Sequence, residues 1–146
     1  MELHSLNRPR KANRYCGPAV LSFLTGVNTS ECASWFRLYS RHRGAVRGTR
    51  VTDMKLVLDQ LGFRLREVSN HDEVKAGRRP TLASWLKAHK GLRTPGRVYL
   101  LVAGNHWQLI TGRRYACGRV GSIVSIRAKC VKRRARVQTA WELLPK

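Results

Sequence analysis

The stretch Tyr15-Cys16-Gly17-Pro18-Ala19-Val20-Leu21-Ser22-Phe23-Leu24-Thr25-Gly26 begins with a thiol, a glycine and a proline and continues almost wholly apolar. A proline in the first turn of a helix sacrifices no bond, because the first N–H groups have no intrahelical partner. Gly26 supplies the stop. Ala19, Val20, Leu21, Phe23 and Leu24 leave no polar stripe, so the spacing predicts a helix buried on most sides and central to the fold.

Working outward from it, Thr29 or Ser30 caps a second helix whose Cys32, Trp35, Phe36 and Tyr39 recur at helical spacing. Residues 41–50 form a basic, aperiodic loop. Thr52 caps a third helix, with Met54, Val57, Leu58 and Leu61 inward and Gly62 closing it. Phe63, Leu65 and Glu67-Val68 read as a short strand and residues 69–80 as a polar loop. Thr81 begins a fourth helix with Leu82, Trp85 and Leu86 as its apolar stripe, ended by Gly91. The second half is strand-like at 98–102, 106–111, 115–117, 123–126 and 137–143, with Gly104-Asn105 and Gly112-Arg113 as turns. Helices first and antiparallel strands second predict an α+β fold, the N-terminal helices packed on one side of a C-terminal antiparallel β-sheet. A basic N-terminal arm, 1–12, leads into one domain, 13–146.

At 146 residues and 42% apolar composition the chain has enough core for that single domain. Its charge is the unusual quantity: 29 Lys and Arg against 8 Asp and Glu give +21, a surface suited to polyanions. The N-terminus lacks the apolar core of a signal peptide and no run reaches membrane-spanning length. Four scattered cysteines, Cys16, Cys32, Cys117 and Cys130, make no disulfide framework, so reduced thiols and a cytoplasmic location are expected. No Cys-x-x-Cys pair is present, and neither a metal nor another cofactor is expected.

The chemistry is sought where a thiol meets a base. A helix N-terminus offers partial positive charge and unpaired N–H groups, which stabilise a thiolate, and Cys16 stands there. The N–H groups of Cys16 and Gly17 can face a developing oxyanion, while Gly17 lets a substrate backbone approach. His106 opens a strand directly after the Gly104-Asn105 turn, a rigid and accessible place for a base, with Trp107 on the opposite side of the sheet. Cys32, Cys117 and Cys130 read as core thiols. His4, His42, His71 and His89 read as surface residues, and Trp35 and Trp85 as core.

Tyr15-Cys16-Gly17-Pro18-Ala19 before an apolar helix, followed by Gly104-Asn105-His106-Trp107, resembles the papain-like cysteine peptidases, nearest the bacteriocin-processing branch that cleaves double-glycine leaders. The order of elements agrees, since that family carries its cysteine on an N-terminal helix and its histidine on a later antiparallel sheet. The resemblance implies a papain-like fold and a thiol protease using a Cys16–His106 dyad on a protein or peptide. It spans about residues 13–126 and rests on two short motifs. The family's third member, an Asp or Asn after the histidine, has no counterpart. After His106 the one carboxylate side chain is Glu142 and there is no Asn, which leaves Gln108, Ser122, Ser125 or Gln138 to orient the imidazole. The family's oxyanion Gln is absent before Cys16, with Asn13 the nearest amide.

The charge suggests a second function. Arg127, Lys129, Lys132, Arg133, Arg134 and Arg136 form the densest basic run, supported by Arg41, Arg43, Arg47 and Arg50. The expected partner of these residues is nucleic acid or an acidic protein. The alternative to the peptidase is a papain-like scaffold, weak or inactive in catalysis, that binds nucleic acid. Size and charge of this kind suit a bacterial or phage-encoded chain.

Overall fold

The computed structural model describes residues 1–9, 15–46, 48–91 and 93–146. Asn13 and Arg47 lie outside the described residues, as does part of the N-terminal arm. Among the described residues, four α-helices, α1 (Cys16–Thr25), α2 (Thr29–Tyr39), α3 (Val51–Gln60) and α4 (Leu82–Ala88), and a short 3-10 turn at Ala76–Arg78 accompany six strands. These are β1 (Phe63–Asn70), β2 (Val98–Ala103), β3 (His106–Thr111), β4 (Arg114–Ala116), β5 (Ile123–Ser125) and β6 (Val137–Pro145). The strands form one antiparallel sheet in the order β1-β6-β2-β3-β4-β5.

Local chemistry explains most boundaries. In α1 residues 17–24 are all buried, and Gly26 closes the helix in the left-handed region at φ 77°, its N–H on the Ser22 carbonyl at 2.8 Å. Helix α2 is capped one residue earlier than expected: Asn28, rather than Thr29 or Ser30, accepts the N–H of Glu31 at 2.9 Å. This frees Thr29 to be buried and to donate its N–H to Asn7. Helix α3 begins at Val51 with Arg50 at the cap position, so Thr52 is not its cap. Its first turn carries Asp53, paired with Arg50 at 3.3 Å and favourably placed at a helix start. Thr81 caps α4 by accepting the Ser84 N–H. Strand β1 runs to Asn70, two residues into the stretch read as loop, because β6 continues beside it past an irregularity at Glu67/Ser69.

The β2–β3 hairpin turns through Gly104 and Asn105, both near φ 58°, the two positive angles of a type I′ turn. Strand β2 is buried along its whole length. Its Val98, Leu100 and Val102, with Trp107 and Leu109 of β3, face α1, α2 and α3. Its Tyr99, Leu101 and Ala103, with Ile110 of β3, form a second core. The single-sided arrangement of helices therefore needs correction: α4 covers that second face with Leu82, Trp85 and Leu86. A strand apolar on both alternations requires cover on both faces, and Val131, Ala128 and Ala135 of the loop after β5 complete it.

Candidate functional site

The head of α1 meets the start of β3. The Cys16 thiol is half-buried and lies within hydrogen-bonding reach of the Trp107 N–H, the nitrogen bonded to the carbonyl carbon of His106. Folding thus packs Cys16 against the start of β3 on the face where Trp107 lies. Burial pushes the thiol above its ordinary value, and the N–H groups of Trp107, Cys16 and Gly17 only partly offset it. The thiolate expected from the helix N-terminus is therefore not the resting form: at this site desolvation outweighs the partial charge of the helix.

His106 and Trp107 alternate across the sheet as expected. Trp107 lies in the core under the first three helices, stacked on Trp141 with centroids 5.8 Å apart, its Nε1–H donated to the Thr49 carbonyl at 2.8 Å. His106, 9% exposed, looks to the other face. There it lines a cavity of about 220 Å³ with Tyr115, Cys117, Arg119, Cys130 and Lys132, and Cys16 is not part of that wall. Burial first, then Arg119 and Lys132, lower the His106 pKa from 6.5 to about 4, so the ring is neutral at pH 7. Its Nε2 is buried with no hydrogen-bond partner among the described residues. The structure therefore sets the Cys16 thiol with Trp107 on the helix-covered face of the sheet and the His106 ring on the other, and does not bring the two side chains into contact. Cys117 is the side chain common to both surroundings, lining the cavity and acting electrostatically on Cys16.

None of the described orienting candidates holds the ring through Nε2. Gln108, buried below His106, donates its amide to the carbonyls of Ala103 and His106 and so braces the turn. Ser122 is exposed and outside the cavity. Ser125 accepts the Arg127 N–H, and Gln138 accepts the Asn105 N–H at 2.8 Å, fixing the hairpin. Glu142 is buried between Arg66 and Arg97, and its carboxylate is committed there. Gly17 admits a close approach, but by the chain itself: an added Cβ would sit 2.1 Å from Thr49 Oγ1.

The basic residues divide. Arg41, Arg43 and Arg50 are exposed on the loop between α2 and α3. Arg127, Lys129, Lys132, Arg133, Arg134 and Arg136 are exposed on the loop over the second face, where Lys132 reaches the His106 cavity. Cys130, read as a core thiol, is exposed on this loop instead. His89 is also more than a surface residue, its ring stacked on Trp85 with centroids 4.2 Å apart.

Two features escaped the sequence reading. One is the pairing of Cys117 and Arg119 with the His106 cavity, which follows only from β4 lying beside β3. The other is a groove of about 1010 Å³ at the opposite end of the sheet, lined by Lys90, Arg93, Arg113, Arg114 and Arg127. No helix is long and apolar enough to cross a membrane, and no three His, Cys, Asp or Glu side chains cluster as a metal site, both among the described residues. No family model, curated protein or solved structure matches the chain.

Proposed function

We propose that the chain is a papain-like thiol acyl-hydrolase that cleaves an amide bond in a protein or peptide, with Cys16 as nucleophile and His106 as base. What supports this reading is the Cys16 thiol at the head of α1, packed against the start of β3 with Trp107. The His106 ring faces the other side of the sheet, so the pair works only through a relay between the two faces, both of which Cys117 borders. Both groups rest neutral at pH 7, so the chemistry is general-base rather than ion-pair. As sulfur bonds to the acyl carbon, the thiol proton passes through that relay to the imidazole. It returns that proton to the leaving amine when the carbon–nitrogen bond breaks. Water, deprotonated by the same imidazole, then opens the thioester and restores the thiol. In this reading the backbone N–H groups at the head of α1 receive the developing oxyanion.

The test is to incubate the protein with a complex peptide mixture and read new termini by mass spectrometry. The wild type should generate them, and Cys16→Ala and His106→Ala should each abolish them. Termini that persist in both variants would overturn the assignment.

A second reading, nucleic-acid binding, is favoured by the groove with five cations at the far end of the sheet. It is independent of the thiol. Arg113→Gln with Arg114→Gln should weaken DNA or RNA binding while leaving any hydrolysis intact, and unchanged binding would remove this groove from consideration.

A further inference from the structure

The groove at the far end of the sheet is basic on several sides and offers no surface on which a base can stack. Four of its five cations come from separate segments: Lys90 after α4, Arg113 and Arg114 at the β3–β4 turn, and Arg127 after β5, all exposed. None of the four pairs with a carboxylate among the described residues, and Glu2 is the one acid in the lining. The fifth, Arg93, is half-buried and braces the turn that presents two of the others. It donates Nη1–H to the Gly112 carbonyl at 2.7 Å and Nη2–H to the Leu86 carbonyl at 3.1 Å, while Ile126 donates its N–H to the Arg113 carbonyl at 2.9 Å. Ser125 of β5 stands opposite Arg114 of β4, which ties the neighbouring strand to the same turn. Cations mounted on a braced backbone are spaced before a ligand arrives, so less order has to be imposed on binding. The rest of the lining is aliphatic or small, with Leu3, Pro95, Ile123 and Ile126 as its larger members, and the described lining holds no Phe, Tyr, Trp or His.

We propose that this groove takes the phosphate ridge of a double-stranded nucleic acid and discriminates against single strands. The proposal rests on the nucleic-acid reading of the groove and deepens it by naming the form of the ligand; it involves neither Cys16 nor His106. Single-strand sites combine a basic track with aromatic side chains on which successive bases stack. Here the basic track is present and the stacking platform is not. A single strand bound in the groove would leave its bases in water and would still have to be ordered. A duplex keeps its bases stacked inside and presents about one charge per 1.7 Å of axis at regular spacing, which suits cations held on a braced turn.

The test titrates the full wild-type chain, at one moderate salt concentration, into a labelled mixed-sequence duplex and into each of its separated strands, chosen not to fold on themselves. Fluorescence anisotropy should show the duplex binding tighter than either strand by about 10-fold. Arg113→Gln/Arg114→Gln should remove most of that difference and leave Tm in place, since both side chains are exposed. Run with DNA and with RNA of the same sequence, the tighter duplex identifies the source, and either supports the proposal if it exceeds its own strands. Strands that bind as tightly as the duplex overturn the inference and leave the groove a general nucleic-acid site. A duplex preference that survives Arg113→Gln/Arg114→Gln overturns it as well, by placing duplex binding elsewhere on the molecule. Polyglutamate that displaces the labelled duplex as effectively as unlabelled duplex does, at equal charge concentration, overturns the inference and the nucleic-acid reading together, because the groove then answers to charge alone.

Discussion

At the scale of single residues, desolvation sets the chemistry of both candidate groups. His106 has a folded pKa of about 4 against 6.5 for the free side chain, so below 6.5 the unfolded chain binds a proton that the folded chain refuses. Stability should therefore fall as pH drops from about 6.5 to about 4, and His106→Gln should flatten that slope in urea titrations run across the range. The same shift keeps the base neutral well below neutrality. The acid limb of kcat/KM should lie near pH 4, and a limb near 6.5 would mean that the ring is not in the surroundings described. The thiols should differ too. Cys130 is exposed, while burial raises Cys16 and pushes Cys32 to about 12. Iodoacetamide at pH 7 should label Cys130 first in the native protein and all four cysteines only after denaturation, read by peptide mapping.

At the scale of elements, the seam between α1 and the loop before α3 is the tightest contact near the thiol. An alanine Cβ at Gly17 would meet Thr49 Oγ1 at 2.1 Å and Thr49 Cβ at 2.9 Å, and Trp107 holds the Thr49 carbonyl from below. Gly17→Ala should cost about 1–3 kcal/mol, the usual cost of overpacking. Most of that should return in Gly17→Ala/Thr49→Gly, measured as a double-mutant cycle. The elements themselves were legible because punctuation and periodicity agreed: Gly26 and Gly62 end helices, Gly104-Asn105 makes the turn, and β2 reads as a continuous apolar run. Their arrangement was less so. That α4 crosses to the second face depends on Tyr99 and Leu101 being buried opposite Leu100, which a local pattern does not order in space. For the candidate site, motif order brought the head of α1 and the start of β3 together, but not the face of the sheet on which the His106 ring lies. The cavity was invisible, because Cys117, Arg119 and Lys132 reach His106 only through the β3–β4 pairing and the fold of the loop after β5. Helix-terminus reasoning also gave the wrong direction for Cys16, since it ignored burial.

At the scale of the whole molecule, +21 distributed over both faces and both ends of the sheet makes long-range attraction to polyanions unavoidable. If five phosphates engage the five cations of the distant groove, log K for duplex DNA should fall with log salt at a slope of about −4.5. Arg113→Gln/Arg114→Gln should reduce that slope by about 2, as measured by fluorescence anisotropy. A flat response would confine the charge to solubility. The sheet order has its own consequence for how this molecule comes into being. Because β6 is inserted between β1 and β2, a nascent chain on the ribosome holds an empty slot in the middle of its sheet until residues 137–145 emerge. Until then β1 has no partner and one edge of β2 stays bare, so a chaperone that guards open strand edges would find its client in the interval before that last strand closes the gap.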